Sequence, residues 1–145
     1  MRSRLARLAV IPLCLVLWAL PTQALTSKTY KFKEGVILQI GATADGLRLD
    51  NVSFRLPEAK NGKLFRTSGS VKATVAVSNE SGESRRVGIA IALYDAEGRL
   101  VAVASGGSRW LPVKPQRQNT YVLVFDDVNA LAHQAATFQI SIETR

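Results

Sequence analysis

Val71-Lys72-Ala73-Thr74-Val75-Ala76-Val77-Ser78 and, further along, Val87-Gly88-Ile89-Ala90-Ile91-Ala92-Leu93-Tyr94 decide the fold class. In both stretches every second residue is aliphatic, which is the period of a strand and not of a helix. Val71, Ala73, Val75 and Val77 share one face, and Lys72, Thr74, Ala76 and Ser78 share the other. In the second stretch Val87, Ile89, Ile91 and Leu93 form the apolar face, opposite the small residues Gly88, Ala90 and Ala92. A face that small leaves room for something to pack closely.

The same period continues outward from these two strands. Asp95-Ala96-Glu97-Gly98 is tight-turn chemistry, and Leu100, Ala102 and Ala104 follow on one face. Gly106-Gly107 breaks that strand, and Pro112 and Pro115 make Ser108 to Asn119 a loop or an irregular edge. Thr120 to Phe125 places Tyr121, Leu123 and Phe125 on one side. Asp127 is a candidate cap for a short helix carrying Val128, Leu131, Ala132 and Ala135. Phe138, Ile140 and Ile142 mark the last strand. Upstream, Val36 to Ala42 reads as a strand, and Asp45-Gly46 as a hairpin turn. Leu47, Leu49, Val52, Phe54 and Leu56 change phase near Asp50-Asn51, which implies a bulge or two short strands. Tyr30 and Phe32 alternate with Lys28, Lys31 and Lys33, a pattern that fits an edge strand guarded by lysine.

Seven strands joined by short turns must pair antiparallel. The expected fold is all-β, an antiparallel immunoglobulin-like or fibronectin-like sandwich of about seven strands, with a small barrel as the competing closure. Residues 70–145 form the sandwich in this reading. Residues 25–69 are an N-terminal β-hairpin region packed on it or part of it.

Val75-Ala76-Val77-Ser78-Asn79, Ile91-Ala92-Leu93-Tyr94-Asp95-Ala96-Glu97-Gly98 and Phe138-Gln139-Ile140-Ser141-Ile142, taken together, resemble the FxLYD domains of exported bacterial proteins. The resemblance runs from Ser70 to Glu143 and is most specific at Leu93-Tyr94-Asp95; Ile91 stands where that family has Phe, and the loop around Pro115-Gln116 lacks the usual Gly. It implies an immunoglobulin-like sandwich and no shared catalytic activity.

The N-terminus carries export chemistry. Arg2, Arg4 and Arg7 precede an apolar run of 13 residues, Leu8 to Leu20. That run is short of the roughly 20 residues a spanning helix needs. Thr22 and Ala24 fit the small positions of a cleavage site, so residues 1–24 are expected to be a cleaved signal peptide. Leu13 before Cys14 argues against a lipid anchor. Cleavage removes the single Cys, so the mature chain holds together without disulfides in an oxidising compartment. It also removes three of 19 Lys and Arg, leaving 16 against 11 acids, a net charge of +5. A periplasmic or secreted location in a bacterium follows, with no transmembrane segment after cleavage.

The mature residues offer little for catalysis. His133 is the only imidazole, which argues against a zinc or copper site and against a Ser-His-Asp triad. Asp126-Asp127-Val128-Asn129 lacks EF-hand spacing. No metal, cofactor or enzymatic activity is expected. The strongest binding signal is Arg109-Trp110-Leu111-Pro112-Val113-Lys114-Pro115-Gln116-Arg117. Its candidate partner-binding residues are Arg109, Trp110, Lys114 and Arg117, because Trp and Arg dominate interface hot spots. The competing reading tucks Trp110 under the sandwich edge. The expected role is a protein-binding accessory module of the cell envelope, with another envelope protein as partner and no nucleic acid. Two alternatives remain: a carrier of a small apolar ligand in the sandwich or barrel interior, using room beside Gly88, Ala90 and Ala92, and a weak binder of anionic polymers.

Overall fold

The computed structural model describes residues 28–57, 70–126 and 131–144. The expected signal peptide lies outside them. Eight strands form: β1 (Lys28–Lys31), β2 (Leu38–Ala44), β3 (Leu47–Arg55), β4 (Val71–Asn79), β5 (Val87–Tyr94), β6 (Leu100–Gly107), β7 (Arg117–Phe125) and β8 (Thr137–Thr144). They make two four-stranded sheets, ordered β1-β8-β5-β6 and β2-β3-β4-β7, with every ladder antiparallel. The architecture is therefore an all-β sandwich. No described helix is long and apolar enough to cross a membrane.

The period-two faces build the core. Val71, Ala73, Val75 and Val77 of β4 face Val87, Ile89, Ile91 and Leu93 of β5, and all eight are buried in one cluster. Phe138, Ile140 and Ile142 of β8 and Leu123 and Phe125 of β7 fill the same layer. At one end an aromatic chain closes the gap between sheets. Phe54 of β3 lies 4.9 Å from Phe138 of β8 and 4.8 Å from Phe32, and Tyr30 stacks on Phe138 at 5.3 Å. The strand of alternating Lys and aromatic residues is thus an edge strand, β1, and its rings help to seal the core.

Several expectations needed adjustment. The bulge in β3 falls between Leu49 and Asn51 within one continuous strand. β2 begins at Leu38 instead of Val36, and Val36 and Ile37 are exposed. The register of β5 and β6 slips between Leu93 and Tyr94, so Leu100 pairs with Tyr94 on the outer face and is 60% exposed, while Ala102 and Ala104 stay inside. In the described part of the expected short helix there is one 3-10 turn, Ala132–Gln134, with no side-chain cap at Leu131. Ala132 is in the core there, Ala135 packs partly buried against it, and Leu131 is exposed; residues 127–130 lie outside the described part.

Two carboxylates tie strands together. Asp50, beside the β3 bulge, accepts from Arg48 Nε at 2.6 Å, from Ser78 Oγ at 2.6 Å and from Gln118 Nε2 at 2.7 Å, so it links β3, β4 and β7. Asp95 closes the β5–β6 turn by accepting from the backbone N–H of Glu97 and Arg99 and from Arg99 Nε. Burial pushes both carboxyls up, but for Asp50 the bonds from Ser78, Gln118 and Arg48 outweigh it, and for Asp95 those from Arg99 and Glu97 do. Both end below the ordinary aspartate value of about 3.9. A depressed folded value means stability is in full force above the unfolded value and drains away as pH falls through the folded one. Acid unfolding below about pH 4 is the expected result. Asp50→Ala is expected to cost about 1–3 kcal/mol at neutral pH and to flatten that acid slope. Urea unfolding repeated across pH checks both, and an unchanged slope would remove Asp50 from the account.

Candidate functional site

Three connections gather at one pole of the sandwich: the β2–β3 turn, the β4–β5 loop and the β6–β7 loop. Glu80 N donates to Gly46 O, and Arg85 reaches Asp45 and Glu83. The β6–β7 loop, Ser108 to Gln116, is held on both sides. At its start Ser108 N donates to Val87 O at 2.8 Å, and Ser108 Oγ accepts from Val87 N at 2.7 Å. At its return Val113 is fully buried and exchanges two backbone hydrogen bonds with Arg85. Asn79 Nδ2 donates to Val113 O at 2.8 Å, and Gln116 bonds Asn79 O and Glu80 O.

Between these anchors the chain stands out into solvent. Trp110 is 86% exposed and Leu111 80%. The indole therefore does not tuck under the sandwich edge. A large apolar tip thus stands on buried, hydrogen-bonded anchors.

The indole stands beside an open trough of about 750 Å³ on the outer face of the β8-β5-β6 layer. Strand register supplies its floor. Gly107 of β6 pairs with Gly88 of β5, which pairs with Glu143 of β8; the next row is Ser105, Ala90 and Ser141. These residues sit opposite the core-facing Ile89 and Ile91, so the small face of β5 looks to solvent. The room beside Gly88, Ala90 and Ala92 therefore lies on the outside of the sheet and not between the two sheets. Arg86, Arg109, Trp110 and Glu143 line the sides.

The structure thus brings Arg109 and Trp110 to the trough together with the small face of β5. Lys114 and Arg117 are exposed but belong to the loop's return and the start of β7, away from the trough lining. Sequence reasoning missed Arg86, Glu143, Ser108 and Asn79. Asn79 enters the sequence reading only as the end of Val75-Ala76-Val77-Ser78-Asn79. The signal that could have found it is an Asn with Ser two residues on, at a strand end, where its amide can organise a turn.

His133 sits on the 3-10 turn before β8, at the opposite end of the sheet from Trp110. Among the described residues no three His, Cys, Asp or Glu side chains come together as metal ligands. The geometry offers a flat floor with two serine hydroxyls, two guanidinium groups and an indole. No known protein family, curated protein or solved structure matches the chain.

Proposed function

We propose that this chain is a non-enzymatic binding module exported to the bacterial cell envelope, and that its trough receives a segment of another envelope protein. The exposure of Trp110 carries the reading. It is the only tryptophan after Ala24, and burying such a ring against a partner returns on the order of 3 kcal/mol. A partner segment lying along the small floor would cover the indole without forcing the sheet to move. Export rests on the basic and apolar N-terminus and on a mature sequence without cysteine.

Trp110→Ala is expected to leave stability within about 0.5 kcal/mol, as for other exposed sites without special contacts. It is also expected to abolish partner capture. The experiment is crosslinking and affinity capture of the tagged mature chain in its own envelope, beside Trp110→Ala and beside Ala90→Tyr, which fills the floor. One dominant protein retained by the parent chain and lost from both variants is the expected result. A capture pattern unchanged in both variants would overturn the reading.

A further inference from the structure

We infer that the segment taken by the trough is acidic: an extended stretch of protein with carboxylates around one apolar anchor that covers Trp110. This rests on the trough being a protein-binding site, as proposed above.

The charge balance at the pole supports it. Three of the acids there already face arginine: Asp45 and Glu83 lie 3.4 Å from Arg85, and Glu80 lies 2.5 Å from Arg48. Arg86, Arg109, Lys114 and Arg117 are all exposed, and none makes an ion pair among the described residues. Arg86 and Arg109 line the trough itself. Uncompensated cations around an exposed indole attract and orient an anionic partner.

The floor carries the second argument. Among the described residues the one carboxylate lining the trough, Glu143, lies across Gly88; a Cβ at Gly88 would fall 2.6 Å from Glu143 Oε1. A carboxylate therefore fits on this floor because Gly88 has no side chain. Among the described lining residues, two rim guanidiniums against one carboxylate give a positive balance. In the next row Ser105 and Ser141 flank Ala90 and offer hydroxyl donors to a second carboxylate or a backbone carbonyl. A flat bilayer would touch the Trp110-Leu111 tip without reaching this floor, which favours a chain segment over a lipid surface.

The probe is a phage-displayed library of random linear peptides, selected on the tagged mature chain at low salt. Binding of the selected peptides is then followed by Trp110 fluorescence in the parent, and by labelled peptide with the variants. Asp- and Glu-rich peptides are the expected yield. They should be lost with Trp110→Ala and Ala90→Tyr and weakened about tenfold or more by Arg86→Gln with Arg109→Gln, and comparably by raising salt. Peptides that need Trp110 but show no acidic enrichment, or ignore the arginine changes, would overturn this inference and leave the protein-binding reading standing. If no peptide needs Trp110, both fail. In that case phosphatidylglycerol vesicles that bind through Trp110 and are indifferent to Ala90→Tyr would assign the tip to lipid.

Discussion

Gly107→Ala is expected to lower stability by about 3–5 kcal/mol and to abolish binding through Trp110. Gly107 ends β6 with φ +134, where side-chain-bearing residues are strained. A Cβ there would lie 2.0 Å from Val87 O and 2.9 Å from Val87 C. These are backbone atoms inside a ladder, so no rotamer change relieves the overlap. The same Val87 O accepts from Ser108 N, and Val87 N donates to Ser108 Oγ. Pushing the two chains apart breaks the pair of bonds that starts the Trp110 loop. Gly88→Ala is the control. Its Cβ would meet side-chain atoms of Glu143, Oε1 at 2.6 Å and Cγ at 2.7 Å, and no backbone atom, so a loss well below that of Gly107→Ala is expected. Urea denaturation of both variants decides the matter. Equal, small losses would mean that the close approach at Gly107 is not a constraint.

The contrast between those two glycines marks what a sequence can and cannot disclose. Alternation in Val71 to Val77 and Val87 to Leu93 depends only on neighbours along the chain, and every residue assigned inward there is buried. The bulge near Asp50 was legible for the same reason, because a phase change in the pattern is local. Where a register slip intervened, as between Leu93 and Tyr94, the alternation no longer told which way Leu100 would point. The small face of β5 was visible, but its orientation toward solvent follows from the other face filling the core.

The site was half legible. Arg109 and Trp110 stood out by residue type alone. Whether the indole is displayed or packed depends on the anchors of its loop, and those come from elsewhere in the chain. Val113 is held by Arg85 and by Asn79, the latter 34 residues away in sequence. The trough needs Gly88 to meet Gly107 across one ladder and Glu143 across another. The first pairing follows from a hairpin. The second joins β5 to the last strand, which no local pattern specifies.

Asn79 gives the sharpest test of that long-range dependence. Its side chain is 1% exposed and fully engaged. Nδ2 donates to Glu83 O at 2.7 Å and to Val113 O at 2.8 Å, while Oδ1 accepts from Ser81 N at 2.9 Å and Ser81 Oγ at 2.6 Å. Asn79→Ala removes all four bonds and strands the Ser81 N–H, which is expected to cost about 2–4 kcal/mol. Val113 O keeps its bond from Arg85 N, so the loop loosens without detaching. Lower fluorescence anisotropy of Trp110 should accompany the loss. Asn79→Asp separates the donor from the acceptor. It preserves the acceptor for Ser81 but turns a carboxylate oxygen toward two carbonyls, Glu83 O and Val113 O. Ionised and buried there, the new group is worse than alanine at neutral pH. Its folded pKa is raised, so the penalty fades as pH falls and the group protonates, because the protonated acid can donate to one carbonyl again. Between neutrality and the acid range the variant should therefore gain stability on acidification, opposite in sign to the loss that Asp50 and Asp95 impose at lower pH. Unfolding midpoints measured for both variants from pH 7 downward check this. If Asn79→Asp is no less stable than Asn79→Ala at pH 7, the two donated bonds to Glu83 and Val113 are not what holds the Trp110 loop in place.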